Sequence, residues 1–406
     1  MKRRNTKEED EEIDSDEIVD FNPSDTGEKD EQDNFFTETP DEKRIRKAKE
    51  HLEFIKRQNA DNDDEAEKVL RADYEEQSGT RFDDIKLQLS TKSPEPIRYR
   101  AHRVAPTCFC FGPGCIFSGS KDATVVKIEY DLANPSFRKH ETVALAQAPV
   151  NSIDYNFSRK ILAVGSADGL VTLYDMEGDE TPITLKGHRK SVTGVVFNQK
   201  GVEVFSCSED LNVRVWDSTN GNILMTLFGH QSSVLGLDFC NVLVSCGADR
   251  SVRLWKYQEE KQLLFLSKKC LQSIECISMF NNTMCISGSS DEQLCLWDLT
   301  RKNPQYIIEH AHGVGNPISA VAALRFRKLF ASGSCDGYIR FWEIKDRKIV
   351  PLFNVKLEGY VVDMKFSERG DFLAVQISYE ERLGRWHPTI KTKQGVYIIK
   401  LEAVKI

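Results

Sequence analysis

The sequence predicts an all-β chain, a ring built from one repeated four-stranded unit. Three observations predict it. The stretch SEDLNVRVWD (residues 208–217) recurs in altered form as SKDATVVKIE, SADGLVTLYD, GADRSVRLWK, SSDEQLCLWD and SCDGYIRFWE. In every copy an aspartate leads an aromatic or aliphatic residue by six positions. Asp122, Asp168, Asp210, Asp249, Asp291 and Asp336 follow at steps of 46, 42, 39, 42 and 45 residues, the period of a four-stranded blade.

Each element of a unit has a local reason. VEVFSCS and LVSCG are short β-branched runs, and NVRVW alternates apolar and polar residues. Between them lie two- or three-residue turns carrying Asp, Gly or Asn. An aspartate in such a turn can accept from its own backbone and from a histidine in the preceding loop. That histidine can reach a serine, which in turn meets a tryptophan N–H. Blade three offers His188, Ser206, Asp210 and Trp216; blade four offers His230, Ser245, Asp249 and Trp255. Blades five and six supply Asp291 with Trp297 and Asp336 with Trp342. Gly187-His188, Gly229-His230, Trp216-Asp217 and Trp297-Asp298 resemble the paired signatures of the WD-repeat family. The resemblance implies a β-propeller. Blade one has Ile128 in the Trp place, blade two has Tyr174, and blade five has no evident histidine. Residues 361–406 read as a seventh, degenerate blade, and PIRYR (residues 96–100) as the outer strand that closes it. Closure removes free sheet edges.

Outside the ring the chain changes character. Residues 1–40 carry net charge −10 and residues 97–406 net +5, within a total of −8. Residues 1–36 are expected to be a disordered acidic tail. Residues 37–95 are expected to be a helical extension and linker, and residues 96–406 the seven-bladed propeller. Thr39, Pro40 and Glu42 form a helix start. Ile45, Ala48, Leu52 and Ile55 make one apolar stripe. Lys43, Arg44, Arg46, Lys47 and Lys49 cover much of the rest, as a docking helix or a nuclear-import signal would. A second, acidic helix is expected over about 64–76.

The function classes narrow by elimination. Eleven cysteines sit mostly singly in apolar runs, which favours a reducing compartment. There is no apolar run of 18 residues, so no membrane span is expected. No Gly-rich phosphate loop ending in Lys-Ser/Thr and no metal-spaced His/Cys set occurs, so neither an enzyme, a cofactor nor a metal is expected.

Two non-repeat segments, ETPDEKRIRKAKEHLEFIK (38–56) and SERGDFLAVQISYEERLGRWHPTIKTKQGVYIIKL (367–401), closely resemble the WD-repeat protein family of the U3 small nucleolar ribonucleoprotein. So does SAVAALRFRKLFASGSCDG (319–337). The likeness covers about residues 37–406. It implies a nucleolar, non-catalytic protein that binds the box B/C element of the U3 small nucleolar RNA beside a box C/D kink-turn-binding protein. It also implies work with other small-subunit processome proteins in pre-rRNA processing. A scaffold such as a ubiquitin-ligase substrate receptor is the alternative, but such receptors end a blade in Trp-Asp-x-Arg, and here Trp297-Asp298-Leu299-Thr300-Arg301 places the arginine one residue late.

RNA contacts need exposed cations or stacking rings. Arg385, Trp386, Lys391 and Lys393 stand in the blade-seven insertion. Arg189 and Lys190 follow a Gly-His, Lys121 occupies a tight turn on the same face, and Arg98, Arg100 and Arg103 lie near the closure. Arg325, Arg327 and Lys328 are expected on the opposite face.

Overall fold

Alternating side chains become paired strands all along the repeat. In blade three, Val192–Phe197, Glu203–Ser208, Val213–Asp217 and Ile223–Leu227 pair antiparallel in chain order. The first strand lines a central channel and the fourth stands at the rim. Six such four-stranded sheets occur among the described residues, together with one five-stranded sheet. The computed structural model describes residues 82, 85–89, 96–130, 137–178, 181–198, 201–267, 269–384 and 392–405, all in the unit Ala72–Ile406. The expected acidic tail, the basic helix with Lys43, Arg44, Arg46, Lys47 and Lys49, and the acidic helix lie outside the described residues.

The core is divided among the seams between blades. Phe205, Val215 and Leu227 of blade three meet Val234, Phe239 and Trp255 of blade four. Phe109, Ile116 and Ile128 of blade one meet Phe372, Ala374 and Ile398 of blade seven, which closes the ring. Each of the seven seams has one such cluster. The buried cysteines belong to these clusters; burial pushes the Cys108 thiol up to about 12 and keeps it neutral.

Polar side chains on the first strands join every blade to the next. The backbone N–H groups of Phe197, Met279 and Phe109 donate to Asp154, Asp238 and Asp363 of the preceding blades at 2.8, 2.7 and 3.1 Å. Thr193 donates to the Val234 carbonyl at 2.6 Å, and the Ala323 N–H to Ser278 at 3.1 Å. Thr107 and Ser319 donate to the carbonyls of Val150 and Val361 at the remaining seams. The three aspartates bring negative charge into the channel, and cations answer it. Arg325 pairs with Asp238 at 2.8 Å. Burial works against the charged form of Lys365, but Asp154 and Asp363 outweigh it and raise its pKa.

Blade seven is built from both ends of the chain. Gly395–Lys405 pairs with Phe372–Ser378 on one side and with Ile97–Tyr99 on the other, so the expected closing strand is in place. A Cβ at Gly395 would collide with the Tyr99 carbonyl oxygen, so this approach requires glycine. One expectation needs correcting. Ile85–Leu89, read as linker, forms a strand that continues the outer edge by pairing with Leu401–Lys405. Its alternating IKLQL pattern suits an edge, and its partner lies at the far end of the sequence.

Candidate nucleic-acid interface

The clamps decide which loops are rigid. Asp210 can only accept, so His188 donates Nδ1–H to it at 3.0 Å. That leaves Nε2 as the acceptor for Ser206 at 2.8 Å, and the Ser206 oxygen accepts the Trp216 indole N–H at 2.7 Å. Blade four repeats the chain through His230, Asp249, Ser245 and Trp255 at 2.9, 2.7 and 2.8 Å. Blade six does so through His312, Asp336, Ser332 and Trp342 at 2.9, 2.8 and 2.8 Å. Burial alone would raise the Asp210 carboxyl, but bonds from His188 and from the Arg189 and Asn212 N–H groups hold it at about 2.

Blade five keeps Trp297 on Ser287 at 2.8 Å, but Cys270 fills the histidine's place. Asp291 there accepts the Leu271 and Gln272 N–H groups at 2.6 and 3.1 Å instead. Blade one departs further. His102 lies 3.2 Å from the Thr124 hydroxyl, which itself donates to Asp122. Ser118, with Ile128 in the tryptophan's place, lies 3.1 Å from His102 Nε2 and receives the amide of Gln376 from blade seven at 3.0 Å. Sequence spacing alone does not assign the histidines of blades one and six as clamps.

Each clamp ties a loop between blades to the turn between a blade's second and third strands, so these segments share one face. Arg189 and Lys190 lie on it with exposed side chains and a pinned backbone. The Arg189 N–H donates to Asp210 at 3.1 Å, and the Lys190 carbonyl accepts Ser208 at 3.1 Å. Arg103 is exposed in the loop before blade one, its carbonyl accepting Gln394 at 2.9 Å. Lys393 is exposed at the base of the blade-seven insertion, its carbonyl held by Tyr397 at 2.6 Å.

Other candidates are less available. Lys121 is spent on Glu380 and on the Glu381 carbonyl at 2.9 and 2.8 Å. Arg98 donates to the Gln394 carbonyl, closest at 2.9 Å, and Arg100 to the His102 carbonyl at 3.4 Å. Arg385, Trp386 and Lys391 lie outside the described residues. On the opposite face Arg325 is paired, Arg327 donates to the Arg369 carbonyl at 2.6 Å, and Lys328 stands over the Phe82 ring.

Arg382 opens the Arg-Leu-Gly-Arg-Trp run that stands outside the repeat, but nothing in that run assigns its contact. Arg382 crosses the channel from the insertion to donate to the Leu235 carbonyl of blade four at 2.9 Å. It thereby separates two chambers of about 480 and 500 Å³. Among the described residues no His/Cys/Asp/Glu group is placed to hold a metal ion, and no helix is long and apolar enough to cross a membrane.

The description "WD domain, G-beta repeat" fits residues 136–175, 180–217, 221–256 and 303–343 of this chain. These cover the cores of blades two, three, four and six and pass over those of blades one, five and seven. The U3 small nucleolar RNA-interacting protein 2 of Mus musculus is 31% identical, over 91% of this chain and 84% of its own. Its Homo sapiens counterpart is 30% identical over the same shares. A U3 snoRNP-associated protein-like EMB2271 of Arabidopsis thaliana is 28% identical over 90% and 86%. Among solved structures, the WD40 repeats of RRP9 superpose with a TM-score of 0.72 at 31% identity, covering 78% of this chain and all of that one. The structure of U3-55K gives 0.71 at 30%, covering 77% and all of that chain.

Proposed function

The chain belongs to the WD-repeat family of U3 small nucleolar RNA-interacting protein 2, and from that premise we propose that it is a non-catalytic, RNA-binding component of the U3 box C/D small nucleolar ribonucleoprotein. It binds the box B/C element of the U3 RNA together with the kink-turn-binding protein. It acts in the nucleolus with other small-subunit processome proteins during pre-rRNA processing. The observation that carries this reading is the pinned pair Arg189 and Lys190, exposed on the clamp face with Arg103 and Lys393. A cation on a fixed backbone loses less freedom when it meets a phosphate than one on a loose loop. The clamp histidines and aspartates are occupied in holding loops, which supports a binding role over catalysis.

Recognition in this reading is by backbone charge and RNA shape, with the blade-seven insertion supplying Arg385, Trp386 and Lys391 for stacking and phosphate contact. The test is binding of a U3 box B/C RNA, with and without the kink-turn protein, across a salt series. Affinity is expected to fall as salt rises. Arg189→Ala with Lys190→Ala should lower the log–log slope by about 0.7–0.9 for each phosphate that is no longer neutralised. A flat salt response, or equal binding to an unrelated hairpin in the presence of the kink-turn protein, overturns the reading.

A further inference from the structure

Blade six overhangs blade five. Its outer hairpin has strands of eight and nine residues, Tyr338–Lys345 and Lys348–Lys356. Asp346 and Arg347 join them at φ of 49° and 61°, the two-residue turn that matches strand twist. The outer strand of blade five, Tyr306–Ile308, has only three residues. The mismatch leaves an open groove of about 680 Å³ on the face opposite Arg189 and Lys190. Its walls include Met284, Asp298 and Gln305 of blade five and Lys328, Ile344 and Arg347 of blade six.

One residue from outside the repeat already sits there. Phe82 packs against the core shared by blades five and six, and Lys328 Nζ lies 5.6 Å from its ring centre, within cation–π range. No position in the repeat calls for this ring. Downstream of Phe82 the chain goes to the edge strand Ile85–Leu89 on blade seven, away from the groove.

We propose that this groove is the docking seat of the chain's own residues 73–81, with Phe82 as their anchor. The place of Phe82 favours this occupant: the segment is covalently tied to a ring that already lines the groove. Charge favours it too. Asp298 and Glu343 of the groove wall are paired with Arg301 and Lys345, which leaves Asp346 beside the exposed Arg347 and the neighbouring Lys348 at the hairpin tip, and Asp73, Glu75 and Glu76 outnumber Arg81 in the segment. The pairing of Lys345 with Glu343, at 2.9 Å, leaves Arg347 and Lys348 as the cations best placed for the segment's acids. The seat fixes the lead into the ring on the face away from the candidate RNA cations, so the lead does not cover them.

Hydrogen–deuterium exchange on the full-length chain tests this. Residues 73–81 and the tip 344–349 are expected to exchange at least tenfold more slowly in the parent than in Phe82→Ala. The double variant Arg347→Glu with Lys348→Glu changes only exposed residues and leaves Phe82 in place. It is expected to cost residues 73–81 at least threefold in protection, an effect that added salt weakens. The proposal is overturned if residues 73–81 exchange at free-peptide rates in the parent chain, or if neither variant changes their protection. Protection that grows with protein concentration assigns the groove to a second copy and also overturns it.

Discussion

Blades three and one solve the same problem by different routes. In blade three, His188, Ser206, Asp210 and Trp216 form a complete relay inside one sheet. In blade one, His102 still reaches Ser118 at 3.1 Å, but Ile128 has no N–H to give, and the amide of Gln376 from the neighbouring sheet donates to Ser118 in its stead. The first relay stabilises a blade; the second ties blade one to blade seven. At the seam that must close last, the ring has lost the indole bond and placed an inter-blade bond there.

The largest effect is expected where the two blades differ most. Trp216→Ile copies blade one into blade three, where no neighbouring amide reaches Ser206. It removes a fully buried ring and leaves a serine without its donor, and should cost about 3–5 kcal/mol in urea unfolding. Gln376→Leu removes the seam bond from a side chain with no exposure and should cost about 1–3 kcal/mol. If Gln376→Leu is neutral while Trp216→Ile is severe, the seam bond is incidental and the two routes are not equivalent.

Acid acts on the relay of blade three as well. The Asp210 carboxyl is held at about 2, below its ordinary 3.8, so its contribution is complete above pH 4 and is lost as pH falls towards 2. That contribution is about 2 kcal/mol. The stability gap between the parent and Asp210→Asn should therefore shrink by about that amount between pH 6 and pH 2. Asp154 and Asp363 act in the opposite sense. Burial raises both, so as pH falls they take up protons first in the folded ring and favour it. The smallest effect is expected from Arg189→Ala with Lys190→Ala, which should move stability by no more than about 0.5 kcal/mol while weakening RNA binding. A large loss of stability would show that the two side chains hold the loop instead of presenting charge.

What could be read from the sequence follows from what repeats at constant spacing. Asp and Trp are separated by six residues because one turn and one short strand lie between them, so the blades were legible. Histidine is not phased: His188 precedes Asp210 by 22 residues, His230 precedes Asp249 by 19 and His312 precedes Asp336 by 24, since the loop and first hairpin vary in length. In blade six the segment His310-Ala311-His312 offers two choices, and only the second reaches Ser332. Gln376, Arg382 and the strand Ile85–Leu89 have partners far away in the chain, so nothing nearby in the sequence points to them. Among the candidate cations, exposure was legible for Arg189 and Lys190, which follow a clamp histidine. The capture of Lys121 was not, because Glu380 lies 259 residues further along the sequence, in the blade that closes against blade one.

The pairing of Ile85 with Lys405 joins residues 320 positions apart. On a ribosome, that ladder must wait until residue 405 has emerged. Until then the first blade stands beside a missing neighbour, with Phe109, Ile116 and Ile128 uncovered. Removing the last dozen residues would therefore do more than shorten one strand: it would leave the nascent circle unsealed and its first sheet exposed to chaperones or to other chains.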